Sequence, residues 1–574
     1  MAPSSLLQFD PGYLVSISHL PGGRAARPSC MQGVGMQRNH DAIVIGAGQN
    51  GLACACYLAA AGLSVLVLER YHTIGGMTLT EELTLPGFHS DVHASGYQLA
   101  NISPVPGELG LAHRGVELIE PDIVYAHAFP DGRGIPVSRD LDRTIASISH
   151  YSKIDADACR SLFGHYRSEK SHIVDSLFTP PESFAATAKA MASTPGGMDE
   201  YRFALQSVRS WGNETFETEE IRSLFGAFGL FVGSAPDDAG GAEIAWLFGA
   251  VLQAEGNNFV KGGMHNVTLA MVNFLEEHGG AVRTSAEVDR IIVGDSGATG
   301  VRLSGGEEIV ANRLVVSSTD PAQLVRRFLG ADIVGGEIVA QLDRYEWGDA
   351  TMVMYVALDA PVPYAAGEEF ERAAHVHLTP PTIGEMAQAV NECRAGQLPA
   401  RPLIVAWNDS IIDPSRAPEG KHLKKFVVLG VPYEITGDAT GRVDIRDWDE
   451  AKAPYADHLL EMIETSYMPE LRQHILKCEA HSPVDLERKL SSAVRGTIGH
   501  GAMLPYQKGS MRPIPELGGY RTPVANVYVC DSGCHPGAGV SMAAGRNAAQ
   551  VIHTDLQLSF DATVTSARGA TPAG

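Results

Sequence analysis

Gly46, Gly48 and Gly51 form a GxGxxG run, and Glu69 follows the first of them by roughly twenty residues. Each position has a task in holding a dinucleotide. Gly46 permits a tight turn, Gly48 lets a pyrophosphate approach the backbone, and Gly51 lets a helix pack closely on a strand. The helix N-terminus that follows offers free N–H groups to phosphate. A carboxylate at 69 accepts hydrogen bonds from the adenosine ribose. A second glycine-rich run, Asp531-Ser532-Gly533-Cys534-His535-Pro536-Gly537-Ala538-Gly539-Val540, also precedes a helical pattern. A turn of that kind suits an electron-rich group held at a helix N-terminus. His500, Tyr506 and His535 are the titratable candidates of this C-terminal region for acid–base work. For each of them the competing and more frequent role is ordering a loop through hydrogen bonds.

The apolar pattern supplies the elements that must position these groups. Residues 41–45 (DAIVI) are a short β-branched run of the kind found in buried parallel strands. Residues 52–61 are an alanine-rich helix stopped by Gly62, and residues 64–68 (SVLVL) are a second strand ending at Glu69. Strand, glycines, helix, strand and acid in register carry far more than a lone GxGxxG. Residues 266–278 read as a helix, 281–292 as strand, turn and strand, and 299–303 with 307–316 as the rest of a small meander. Residues 526–530 are a strand and 543–552 a helix around the second glycine run.

Composition bounds the function. The chain has 574 residues, a formal net charge of -23 and 44% hydrophobic residues, as expected for a globular protein of more than one domain. The acidic balance argues against nucleic acid and against general attraction to anionic lipid; peripheral membrane contact through a local apolar patch stays compatible. The eight cysteines follow neither disulfide nor zinc spacing, so inert thiols, no metal and a cytoplasmic location are expected. No apolar run is long enough for a transmembrane helix. Residues 224–236 (LFGAFGLFVGSAP) come nearest and read as core or as the wall of an apolar pocket. Phe225, Phe228, Leu230, Phe231, Trp246, Leu247 and Phe248 cluster there. GxSxG, Walker A and HExxH patterns are absent. Residues 1–40 are Pro-, Gly- and Ser-containing and basic, and read as a disordered or mis-started extension with Met36 as a natural start.

The segments ERYHTIGGMT (69–78), EELTLPGF (81–88), KGGM (261–264), DPSRAPEGKH (413–422), MRPIPELGGYRTP (511–523) and CHPGAGVSMAAGRNAA (534–549), with GAGQNGL (46–52), carry a resemblance over about residues 40–555. The chain resembles the phytoene-desaturase-like FAD oxidoreductases, especially the branch of pyridine nucleotide-disulfide oxidoreductase domain-containing proteins. The resemblance implies an α/β fold with a Rossmann-type FAD-binding domain, glutathione-reductase-like or amine-oxidase-like, built from discontinuous segments. These are 41–115, 256–335 and 490–555, with an inserted α+β substrate domain at 116–255 and 336–489 and a disordered tail at 556–574. By position, Gly46, Gly48, Gly51, Glu69, Arg70, Gly75 and Gly76 would hold FAD, Val288 would meet adenine through its backbone, and Asp531, Gly537, Ala538, Gly539 and Val540 would line the flavin. Asp531 and Ala538 stand where family members usually have glycine, so FAD affinity or potential is expected to differ. The missing second GxGxxG argues against a nicotinamide domain.

The resemblance also implies a reaction. Flavin accepts hydride, and the protein binds, orients and excludes water. A FAD-dependent dehydrogenase or desaturase of a largely apolar, isoprenoid, terpene or carotenoid-like substrate is expected, with O₂, a quinone or a protein as acceptor. The alternatives are a redox-neutral FAD-dependent isomerase of a polyene or lipid, and a flavin-folded subunit of a heteromeric dehydrogenase. Both homo- and hetero-oligomers are compatible with this reading. Asp413 and His422 read as turn residues that shape the substrate part.

Overall fold

The computed structural model describes residues 39–442 and 444–569. The extension expected at 1–40, including Met36, lies outside the described residues up to 38, whereas Asn39 and His40 already belong to a strand. That strand, β1 (Asn39–Ile45), leads to helix α1 (Gln49–Ala60) and then to β2 (Val65–Leu68). All four β2 residues are buried because both sheet faces are covered, which is why the segment is uninterruptedly apolar.

The first sheet has seven strands. Its main path runs Val288–Gly294, Gly297–Leu303, Glu308–Ser317, β1, β2 and Ala281–Arg283, with Val527–Val529 paired to the C-terminal end of Glu308–Ser317. The pairings among β1, β2, Glu308–Ser317, Ala281–Arg283 and Val527–Val529 are parallel; the meander is antiparallel. Chain segments some 200 residues apart thus complete one sheet around the glycine turn after β1, because parallel neighbours require long crossover connections.

The second sheet also has seven strands: Ile475–His481, Ala350–Leu358, His422–Val431, Leu403–Trp407, His375–Leu378, Ile123–Ala128 and Gly134–Ser138, in that order. Only the pairing of His375–Leu378 with Ile123–Ala128 is parallel. Helices Glu219–Phe231 and Gly241–Glu255 pack on each other and on this sheet, carrying the apolar run singled out above.

α1 is buried on nearly every side, since helix His265–Glu277 and helix α2 (Ala543–Asp555) both pack on it. Its small residues permit that. Cys54 and Cys56 are both buried, and among the described residues no cysteine forms a disulfide.

The tail expected to be disordered from 556 onward is a correction. Phe560–Gly569 is a helix, with Val564 and Ala567 buried and the Phe560 ring 5.1 Å from that of Tyr57 on α1. Phe560, Val564 and Ala567 recur at helical spacing and form one apolar stripe, which α1 covers. Residues 570–574 lie outside the described residues.

Candidate active site

The nucleotide end is built from backbone. Gly46 leaves β1 with φ +99, a conformation that favours glycine. A Cβ on Gly51 would stand 2.2 Å from the Gly46 carbonyl oxygen and 2.8 Å from Ser318 Cβ, so helix and strand meet at a distance only glycine allows. A Cβ on Gly48 would meet nothing within 4 Å. Gly48 faces open space, and α1 behind it carries no side-chain cap. The Glu69 carboxylate is oriented by two amides, from Ala47 N at 2.9 Å and from Tyr71 N at 2.8 Å. Gly75 N donates to Ala47 O at 3.0 Å, which docks the second glycine pair directly against the first turn.

Two of the three variable positions of the GxGxxG run, Gln49 and Asn50, turn out to be structural clamps. Gln49 Nε2 donates to Gly539 O at 2.7 Å, and its Oε1 accepts from Met542 N at 3.2 Å. Asn50 Nδ2 donates to Ser532 Oγ at 3.1 Å. Two amide side chains on the first turn therefore hold the second turn, nearly 500 residues away. Their polar type at both positions was the only signal in the sequence.

A cavity of about 370 Å³ joins these turns to the second sheet. Gly46, Gly48, Glu69, Arg70, Gly76, Val288, Asp531, Ala538, Gly539, Val540 and His500 line it. Gly51, Gly75 and Gly537 stand behind the lining and shape the turns. The far part of the cavity is walled by Leu230, Phe231, Leu247, Phe248 and Trp407, whereas Phe225, Phe228 and Trp246 of the same run belong to the core behind.

Two of the three acid–base candidates do not reach the cavity. Tyr506 is 56% exposed and donates to Glu346, so its role is a surface hydrogen bond. His535 turns away, its Nε2 3.0 Å from Ser176 O, and burial pushes its pKa down to about 4. The backbone after it lines the cavity while the ring does not.

His500 does line it, with Asp531 and Asp320 beside it. Its Nδ1 stands 3.2 Å from Asp531 Oδ1, an ion-pair distance between two buried side chains. Burial alone would lower the His500 pKa, but the charges of Asp531 and then Asp320 raise it above the ordinary imidazole value. Asp320 is pushed up to about 7 by burial together with the Asp531 charge, against the lowering bonds from Gln323. Arg512 is fully buried nearby and donates to the carbonyls of Gly499, His500, Gly501 and Ser532, fixing the loop that carries His500. The Asp531 carboxyl group expected to stand open to the cofactor therefore has the His500 ring beside it within the protein.

Two of the motif segments, DPSRAPEGKH and KGGM, meet Thr80, His89 and Asp91 at one buried point. Arg416 Nη2 lies 3.0 Å from Asp91 Oδ2, with both side chains fully inaccessible. Arg416 Nε donates to His89 O at 2.7 Å. Asp91 Oδ1 accepts from Met264 N at 2.9 Å and Thr80 Oγ1 at 2.6 Å. Asp413 accepts from Gly262 N at 2.7 Å. The turn reading of Asp413 thus holds locally, but its neighbour Arg416 ties the FAD side of the cavity to the second sheet.

A family model described as flavin containing amine oxidoreductase matches residues 51–553. The chain belongs to this family. Its cofactor is FAD, and it is an oxidoreductase. Among proteins of the family, the chain is 29% identical to rat (Rattus norvegicus) pyridine nucleotide-disulfide oxidoreductase domain-containing protein 2, covering 91% of this chain and 94% of that one. It is 27% identical to one of the subunits of the limonene dehydrogenase of Castellaniella defragrans, covering 91% and 95%. It is 25% identical to the lycopene-forming phytoene desaturase of Pseudescherichia vulneris, covering 90% and 99%. Cyclohexylamine oxidase of Brevibacterium oxydans shares the fold, with a TM-score of 0.55 at 16% identity over 90% of this chain and 99% of that one.

The residues present fit FAD. The uncapped α1 N-terminus and the open space before Gly48 accommodate a pyrophosphate, and the amide-held Glu69 carboxylate is placed for ribose hydroxyls.

Proposed function

We propose that this chain is a FAD-dependent dehydrogenase that removes hydrogen from a largely apolar, isoprenoid-like substrate and passes the electrons to an acceptor other than a nicotinamide. The observation that carries this reading is the continuity of one cavity. It runs from the backbone cradle at Gly48 and Glu69 to a chamber walled by Leu230, Phe231, Leu247, Phe248 and Trp407. Bound flavin supplies a two-electron acceptor. Leu230, Phe231, Leu247 and Phe248 supply an apolar surface that takes up hydrocarbon and excludes water. Glu69, Arg70 and Val288 would hold the adenosine portion, while Asp531, Ala538, Gly539 and Val540 would line the other end. His500, whose pKa the neighbouring Asp531 charge raises, would set its Nδ1 beside the Asp531 carboxyl group in the cavity wall. The terpenoid and carotenoid substrates in the names of the limonene dehydrogenase and phytoene desaturase relatives agree in chemistry with such a chamber.

The test is anaerobic mixing of the FAD-loaded protein with terpene and carotenoid precursors. Bleaching of the flavin band with formation of a product two hydrogens lighter is expected. A flavin that stays oxidised with every such compound, while an isomerised product accumulates, would replace this reading by the redox-neutral one. A second reading follows from the limonene dehydrogenase relative, which is by name one subunit of its enzyme. In that reading the chain works with a second polypeptide, and turnover appears only when that polypeptide is added.

A further inference from the structure

Taking hydrogen from two neighbouring carbons removes one hydride and one proton. Bound flavin supplies the acceptor for the hydride. The proton needs a base in the protein, and the lining of the cavity narrows the choice. His93 has both ring nitrogens enclosed, Asp349 is tied to Arg394, and Lys489 is tied to Glu81. Glu69 is committed to two amides at the nucleotide end, and Glu287 pairs with Arg327. His500 differs from all of them. Its Nδ1 is enclosed beside Asp531, whereas its Nε2 has no hydrogen-bond partner among the described residues and keeps open surface toward the cavity.

The ring is held in place by its surroundings. The His500 backbone has φ +49, a left-handed conformation that persists only where the neighbouring structure enforces it. Tyr345 Oη donates to His500 O at 2.8 Å, Arg512 Nη2 donates to His500 O and Gly501 O at 3.3 Å each, and Ala502 N donates to Glu346 O at 2.9 Å. Asp531 is fixed in turn, since its Oδ1 accepts from Gly533 N at 2.6 Å. The loop lies where the second glycine turn passes into apolar wall. Arg512 ties it to Ser532 O at 3.3 Å, while Ile498, Ala502 and Met503 of the loop and the neighbouring Trp347 line the cavity. An acceptor beside Nδ1 fixes the neutral tautomer, in which Nδ1 carries the proton and Nε2 presents a bare lone pair. Against the lowering effect of burial, the Asp531 and Asp320 charges raise the His500 pKa above the ordinary imidazole value, which strengthens the ring as a proton acceptor.

We propose that His500, oriented by Asp531, is the catalytic base of the dehydrogenation, and that its Nε2 takes the proton from the carbon next to the one that gives up hydride. This rests on the dehydrogenase reading above. The electron pair of the C–H bond that loses the proton becomes the new C=C bond, and the hydride leaves with its own pair to the two-electron acceptor. His500 ends as an imidazolium beside the Asp531 carboxyl group.

The test follows flavin bleaching when the FAD-loaded full-length protein is mixed anaerobically with limonene and with phytoene, from about pH 5 to about pH 9. The rate is expected to rise with pH, because only the neutral ring accepts a proton. The titratable and charged groups that face His500 are Asp531, Asp320, Arg512, Tyr345 and His93. Asp320, at about 7, titrates in the same window, so Asp320→Asn is expected to keep the rise. His500→Asn, which suits a left-handed backbone and accepts no proton, is expected to slow bleaching at least about a hundredfold and to flatten the pH profile, with FAD absorbance unchanged. Asp531→Asn is expected to move the midpoint to lower pH. A rate in the unaltered protein that does not rise with pH, or a His500→Asn rate within about threefold of it, would overturn the proposal and leave the dehydrogenase reading standing. A flavin that stays oxidised with both probes would overturn that reading and the base together. A second measurement needs no turnover. Diethyl pyrocarbonate, which acylates open neutral imidazoles, is expected to label His500 in the FAD-loaded protein, and saturating limonene is expected to block the label, read by peptide mass. A His500 that stays unlabelled, or is labelled equally with and without limonene, would overturn the proposal.

Discussion

The two ends of the cavity are built from different materials. At the nucleotide end the contacts come from glycines, uncapped helix amides and one carboxylate that is itself held by amides. At the substrate end they come from large apolar side chains, interrupted by His93 and Gln98. A phosphate-bearing group is recognised by backbone dipoles at close range, which demands that side chains be missing. A hydrocarbon is recognised by area removed from water, which demands that side chains be large. The first end therefore tolerates almost no substitution at its glycines, whereas the second can change its occupant by exchanging a few side chains on an unaltered frame.

Variants sharpen this comparison, and the largest effect belongs to the join between the ends. Arg416→Met leaves Asp91 buried without its cation, and a loss of about 3–5 kcal/mol is expected from urea unfolding. A loss below about 1 kcal/mol would mean that the amide and hydroxyl donors to Asp91 suffice alone. Asp320→Asn comes next. Its folded pKa of about 7 lies above its ordinary 3.8, so the protonated form is favoured in the fold. The stability this contributes is complete below pH about 4 and is lost as pH rises through about 7. Asn cannot ionise and keeps an acceptor for Gln323 N. The variant is expected to lose this pH dependence and to exceed the unaltered protein at pH 8 by on the order of 3 kcal/mol, read by unfolding at pH 5 and pH 8.

Gly51→Ala forces a methyl group against the Gly46 carbonyl and Ser318. A cost of about 1–3 kcal/mol is expected, with most of the protein purifying without flavin by its visible absorbance. Glu69→Gln should do least. It turns an amide group toward the amides of Ala47 and Tyr71, and FAD affinity is expected to fall about tenfold by titration, with stability nearly unchanged. Phe231→Gln at the other end is the contrast: FAD content should hold while the KM for an apolar substrate rises.

Much of the nucleotide end was legible in the chain because its signal is local. Gly46, Gly48 and Gly51 sit within six residues, and the flanking strands and helix are marked by unbroken apolar or alanine-rich runs. The apolar run at 224–236 was equally legible as buried, but not which of its members face the cavity. Phe228 and Phe231 lie three residues apart on one helix, and the first points into the core while the second lines the cavity. Tyr506 and His535 show the converse failure. Proximity in sequence to the second glycine run put them near the cavity, and side-chain direction took them out of it. The helix at Phe560–Gly569 was missed because its stripe of Phe560, Val564 and Ala567 is too short to be recognised without the α1 surface that covers it.

Residue type and spacing alone determined that this protein binds a dinucleotide, where its first strand turns, and that the turn must be glycine. Those are constraints of backbone geometry, and they act over a few bonds. The tertiary structure alone decided that Gln49 and Asn50 clamp the second glycine turn, that Arg416 pairs with Asp91, and that the His500 ring stands beside Asp531. Each of these pairs joins residues tens to hundreds of positions apart. A partner for a buried charge or amide is chosen by what burial brings within about 3 Å, and sequence spacing carries no record of that choice.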